Sequence, residues 1–252
     1  MTTDTNQNPP PIHPGIPGRF IFEPLPEGDS PILLLEALLK YPGRIIHALQ
    51  FNWKIKQNAW LLIFALIGMG LYGLVVGSFS GGPQMWIAPV KLVSGTMLSV
   101  LICLPSLYIF ACLGGVDARL RTVSGVFFAA VGLLALLLIG FAPVAWIFSQ
   151  STDSIAFMGA LHLGLWGIGM LFSLRLIEAM GWLLTGSGRT HLKLWGMIFV
   201  VVCLQMMTTL RPIIGTSKTF FPTEKRFFLA NWFESLNGPK VEKKAGDPAV
   251  QD

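Results

Sequence analysis

Residues 122–152 read TVSGVFFAAVGLLALLLIGFAPVAWIFSQST, a stretch without one charged side chain. About 20 apolar residues of helix, rising 1.5 Å each, span a hydrocarbon core about 30 Å thick, and such a helix satisfies its backbone polar groups internally. This stretch is long enough to cross a bilayer. Others follow it: only Lys91 is charged between Lys56 and Asp117, and neither 154–174 nor 194–210 contains a charge. Across all 252 residues, 53% are hydrophobic and 12% charged. A soluble domain carries about 25% charged residues, so water does not solvate most of this surface.

The breaks between the apolar stretches predict five crossings, at about 59–78, 90–113, 123–148, 155–177 and 192–213. Ser80-Gly81-Gly82-Pro83 is turn chemistry between the first two, and the polar Ser149-Gln150-Ser151-Thr152-Asp153 joins the third to the fourth. The expected fold is an all-α polytopic transmembrane bundle with interfacial helices before and after it. Basic residues set its orientation, because positively charged loops stay on the cytoplasmic side. Arg19, Lys40, Arg44, Lys54, Lys56, Arg119, Arg121, Arg175, Arg189 and Lys193 fall on one side, against Lys91 alone on the other. The N-terminus is therefore expected inside. Five crossings then send the C-terminal tail outside, despite Arg211, Lys218, Lys225, Arg226, Lys240, Lys243 and Lys244. A final tail is a weaker topology signal than short loops, so five crossings are retained over a re-entrant segment.

The flanks have their own character. Residues 1–30, rich in proline, read as a disordered cytoplasmic arm, and 31–56 as two amphipathic interfacial helices, the first over 31–41 and the second over 44–56. Ser30 before Pro31 is an N-cap pattern, and Pro42-Gly43 reads as a stop. The bundle occupies 57–215. Residues 216–237, with Phe220, Phe221, Phe227, Phe228, Trp232 and Phe233 among charges, form an aromatic interfacial segment, and 238–252 a disordered tail.

Inside the spans, packing chemistry is plentiful. Gly73 and Gly77, and Ala160 and Gly164, are small residues four apart, a spacing that lets helices approach within the chain or against another subunit. Leu104-Pro105-Ser106-Leu107-Tyr108 marks a candidate kink in which Ser106 or Tyr108 satisfies a freed carbonyl. Candidate intramembrane polar residues are His162, expected in an interhelical hydrogen bond, and Arg175 and Glu178, three apart on one helical face and able to pair.

Reaction chemistry is sparse by comparison. Cys103, Cys112 and Cys203 form no CxxC, no HExxH, G-x-S-x-G or P-loop occurs, and Gly186-Ser187-Gly188-Arg189 lacks the pattern of a dinucleotide site. No catalytic, cofactor or metal residue is assigned, and the net charge of +5 is explained by orientation and lipid contact without nucleic acid.

Two short helices ahead of five closely spaced spans, over about 31–215, resemble the Yip1-type membrane protein family. The Leu104–Tyr108 motif, the Leu210-Arg211-Pro212-Ile213-Ile214-Gly215 motif and the Phe-rich tail also resemble a group of uncharacterised bacterial multi-span proteins. The Asp-Leu-Tyr-Gly-Pro type signature of eukaryotic Yip1 proteins is absent, so vesicle traffic is not implied. The bacterial resemblance implies the cytoplasmic (inner) membrane. The expected role is a non-enzymatic scaffold or assembly subunit, bound to lipid and to a membrane-protein partner or a second copy. A small permease or channel for a neutral or lipid-like solute is the alternative.

Overall fold

The computed structural model describes residues 22–26, 30–52, 54–80, 82–152, 154–185 and 189–209. The arm before residue 22, the 210–215 motif, the aromatic segment 216–237, the tail 238–252 and Gly186-Ser187-Gly188 lie outside the described residues.

Among the described residues seven helices form: α1 (Pro31–Lys40), α2 (Pro42–Phe51), α3 (Ile55–Ser80), α4 (Gln84–Leu113), α5 (Leu120–Ser151), α6 (Ile155–Thr185) and α7 (Arg189–Thr209). The last five are each long and apolar enough to cross a membrane. The chain is an integral, multi-pass, all-helical membrane protein. Its helices overrun the charge-free stretches because a helix does not end where the hydrocarbon does; α4 starts at Gln84, before its predicted span, and so encloses Pro89 and Lys91.

Ser30 caps α1, accepting from the Ile32 N–H at 3.3 Å, with Pro31 in the first turn. Tyr41 then ends one helix and begins the next: its N–H donates to the Ala37 carbonyl at 2.8 Å, and its own carbonyl accepts from Arg44 at 2.9 Å. α1 thus ends just before Pro42, as the sequence reads, and Pro42 is also the first residue of α2, where its missing N–H costs nothing. The predicted helix 44–56 is corrected. α2 closes at Phe51, and Ile55 and Lys56 belong to α3.

α1 and α2 do not simply float among headgroups. Ile45, Ile46, Ala48 and Leu49 are buried, and α2 packs on α5 and α6. The Thr122 hydroxyl donates to the Leu49 carbonyl at 3.2 Å, Gln50 Nε2 to the Asp117 carbonyl at 3.1 Å, and Asn58 Nδ2 to the Arg121 carbonyl at 3.4 Å. These bonds tie α2 and the start of α3 to the first turn of α5 and the turn before it. A short extended piece, 22–26, lies on the other side of α2, with Glu23 paired to Arg44 at 2.8 Å and Phe22 edge-on to His47 at 4.9 Å.

α5 is the centre. It packs on α3 and α6 most extensively and also meets α4 and α2, while α4 and α6 both meet α7, so α3, α4, α7, α6 and α5 follow one another around the bundle. Close contacts give the directions. α3 runs antiparallel to α4, with Gly73 opposite Pro89 and Gly70 opposite Val93; it runs parallel to α5, with Asn58 near Gly125 and Gly68 against Ala135. α6 runs antiparallel to α5, with Phe148 beside Phe157 near one end and Leu134 against Gly169 further along. Across the interior, Phe127 of α5 meets Trp195 and Phe199 of α7 at ring separations of 5.3 and 5.1 Å, all three fully buried. Aromatic packing of this kind holds helices together where lipid removes the hydrophobic drive between them.

Candidate functional site

Three buried polar side chains, Tyr72, Lys91 and His162, lie toward the end of the bundle away from α1 and α2. Tyr72 stands eight residues before the last residue of α3, and His162 seven after the first of α6, placing both about 10–12 Å in from those ends at 1.5 Å per residue. Tyr72 Oη and His162 Nδ1 are 2.7 Å apart, with the rings nearly perpendicular at 5.6 Å. Tyr72 is 3% and His162 8% exposed, so the bond is dry on both sides. It is an interhelical hydrogen bond, and it joins two helices that otherwise pack mainly on others. The second ring nitrogen, Nε2, is buried without a hydrogen-bond partner.

Lys91, two turns into α4, is also buried, at 1% exposure. The sequence placed it at the span boundary. With α4 beginning at Gln84 it lies about 10 Å inside the helix end.

Of the candidate kink residues, Ser106 bonds across to another helix. α4 runs as one helix through Pro105, whose ring faces outward, and Ser106 donates its hydroxyl to the Cys103 carbonyl at 2.8 Å while accepting the Trp195 indole N–H at 3.0 Å. Ser106 thus links α4 to α7. Tyr108 is half-buried against the core.

The two small-residue pairs separate. A β-carbon on Gly73 would stand 2.5 Å from the Pro89 Cα, so this glycine is required by α4, and Gly77 is buried one turn on. Ala160 and Gly164 are exposed, and a β-carbon on Gly164 would meet nothing within 4 Å. They pack on none of the described residues, because α6 turns its His162–Gly169 side toward α5 and α3.

Arg175 and Glu178 do not pair. The Arg175 guanidinium lies over the Phe172 ring at 5.6 Å, leaving Glu178 half-buried with no ion pair or hydrogen bond to a described residue. Cation–ring contact replaces the expected ion pair because Phe172, three residues back along α6, is as near to Arg175 as Glu178 is. Among the described residues no group of three His, Cys, Asp or Glu side chains could hold a metal ion. Cys103 and Cys203 are buried and Cys112 exposed, all as free thiols.

Outside the spans, burial between Phe22 and Phe51 holds the His47 imidazole below its ordinary range. The exposed Glu36–Lys40 pair, at 2.8 Å, lowers the carboxyl and raises the amine.

The sequence reading had not singled out Tyr72, Pro89 or Trp195. Tyr72 was findable in part: it is the one tyrosine in 59–78, as His162 is the one histidine in 155–177, and two lone polar rings in lipid need each other. Trp195 gave no such signal, since a tryptophan near a span end is ordinarily an interfacial anchor. No family model matches the chain, and no curated protein or solved structure matches it.

Proposed function

We propose that this chain is a non-enzymatic scaffold or assembly subunit of a larger membrane complex, with a membrane-protein partner or a second copy of itself covering α6. The observation that carries this reading is the face of α6 that its own bundle leaves open. Ala160, Gly164, Leu171, Arg175 and Glu178 recur at spacings of four, seven, four and three residues and share one side of the helix. The first four are exposed, with a smooth patch at Ala160 and Gly164 and two charges not paired with each other at the far end. A partner helix gains close van der Waals contact at the former and a charge partner at the latter, which lipid tails do not offer. The architecture of two short helices before five spans, similar to the Yip1-type family, fits a protein that organises other membrane proteins, with its N-terminus cytoplasmic in a bacterial inner membrane.

Extraction in a mild detergent followed by mass measurement tests the reading. A stable particle heavier than the 27.6 kDa chain plus its detergent and lipid is expected. A lone chain across the detergents that preserve its fold overturns it.

A small permease for a neutral or lipid-like solute is the second reading, favoured by the dry Tyr72–His162 pair with its unmatched nitrogen. Flux into liposomes that is lost on His162→Leu would move it ahead of assembly.

A further inference from the structure

We propose that the adjoining starts of α3 and α5 form a binding site for an anionic phospholipid headgroup, made by Lys54 and Lys56 on one helix and Arg119 and Arg121 on the other. The site is separate from the open face of α6 and does not rest on assembly.

One pattern occurs twice. Lys54-Ile55-Lys56 opens α3 and Arg119-Leu120-Arg121 opens α5, each with an apolar first helical residue between two cations. Both helices are long and apolar enough to cross a membrane, they run parallel, and they pack on each other extensively. The two triplets therefore meet at the same membrane surface. The Asn58 amide, donating to the Arg121 carbonyl at 3.4 Å, and the Gln50 amide, donating to the Asp117 carbonyl at 3.1 Å, hold the two helix starts side by side. Lys56, Arg119 and Arg121 are exposed and Lys54 is half-buried.

Cations gathered in this way repel one another. The one carboxylate in the two connecting stretches, 52–56 and 114–121, is Asp117, and Glu23 and Glu36 are already paired with Arg44 and Lys40. A phosphate relieves the repulsion, and the arginine forks match its oxygens. Two features select a lipid phosphate over a dissolved one. Cations flanking the first residue of a span stand at headgroup level, where anionic lipid is concentrated. Between them Ile55 is 70% and Leu120 51% exposed. A dissolved anion leaves these side chains uncovered, whereas a diacyl lipid lays its chains on them while its phosphate meets the cations.

The test titrates the full chain in dodecyl maltoside with phosphatidylglycerol and, in parallel, with phosphatidylcholine of the same acyl chains, counting retained lipid by native mass spectrometry. Phosphatidylglycerol should be retained saturably at concentrations where phosphatidylcholine is not. Lys56→Gln with Arg119→Gln, one cation from each triplet, should weaken that binding roughly tenfold. Lys56→Arg with Arg119→Lys should keep it. Lys40→Gln with Lys193→Gln removes the same charge elsewhere and should leave it within about twofold. Equal retention of the two lipids overturns the proposal, and so does an equal loss in both glutamine variants, which would assign the effect to net charge. Displacement by glycerol 3-phosphate as effective as that by the lipid also overturns it, since the ligand would then be a dissolved anion. If the first glutamine variant fails to fold, the salt dependence of the wild type decides: the preference for phosphatidylglycerol should fall as salt rises, and a preference indifferent to salt overturns the site.

Discussion

A β-carbon built on Gly73 would lie 2.5 Å from the Cα and 3.0 Å from the backbone nitrogen of Pro89, closer than real β-carbons come. Two opposite chemistries meet at this point. Glycine has no side chain to hold the helices apart, and proline, inside α4, lacks the N–H that would have bonded the Met85 carbonyl. α3 and α4 therefore touch backbone to backbone. Gly68 against Ala135 and Gly169 against Leu134 repeat the device on α5, but there the opposing atoms belong to side chains.

Gly73→Ala should consequently destabilise the bundle, by about 1–3 kcal/mol, since backbone must move to admit the methyl group. Gly140→Ala is the matched control. A β-carbon there meets nothing within 4 Å, and alanine's helix propensity should make it neutral or stabilising by up to about 1 kcal/mol. Thermal unfolding of both variants in one detergent checks the pair, and equal melting temperatures would refute the contact.

The Ser106–Trp195 bond predicts coupling between α4 and α7. Ser106→Ala, Trp195→Phe and the double variant form a cycle in which the interaction should measure about 0.5–1.5 kcal/mol, the range seen for interhelical hydrogen bonds in membranes. Ser106→Ala also leaves the buried Trp195 N–H unmatched, so it should cost more than a serine-to-alanine change at exposed Ser151. Strict additivity in chemical unfolding would remove the bond from the account.

His47 gives the 22–26 segment a pH dependence. Burial lowers its folded-state pKa below the ordinary 6.5, so the neutral ring is the form that fits between Phe22 and Phe51. The contact is at full strength above about pH 6.5 and weakens as pH falls below it, because the undocked state then binds a proton that the docked state excludes. Hydrogen exchange at 22–26 should accelerate between pH 6.5 and 5 in the wild type. His47→Gln should flatten that dependence, and an unchanged profile would show that another group titrates.

Charge-free blocks gave the five spans, because a charge at bilayer depth is costly wherever it points. Ser30 and Pro31 gave the start of α1 by a rule local to four residues. Beyond that range the reading loosened. Whether Pro42 ends one helix or starts the next depends on Tyr41 holding both ends, and Gly73 and Gly164 have the same composition around them but opposite surroundings. Hydropathy cannot separate them, since in lipid a buried and an exposed face are equally apolar; only the register of α3 against α4, and of α6 against α5, does so. Arg175 illustrates the same limit: Phe172 and Glu178 are equally near along the helix, and the structure selects the ring.

Gly164→Leu tests the open face of α6 without touching the bundle. Among the described residues nothing lies within 4 Å of its β-carbon, and leucine is a better helix former than glycine, so the isolated chain should keep its melting temperature or gain slightly. A partner helix seated on Ala160 and Gly164 would be pushed outward by the larger side chain, losing the close approach that small residues permit. The expected result is a loss of particle mass in mild detergent, with unfolding of the single chain unchanged. Glu178→Gln should give a smaller loss, since it removes only the charge at the far end of the same face. If Gly164→Leu leaves the mass as it was, this side of α6 faces lipid and any partner sits elsewhere.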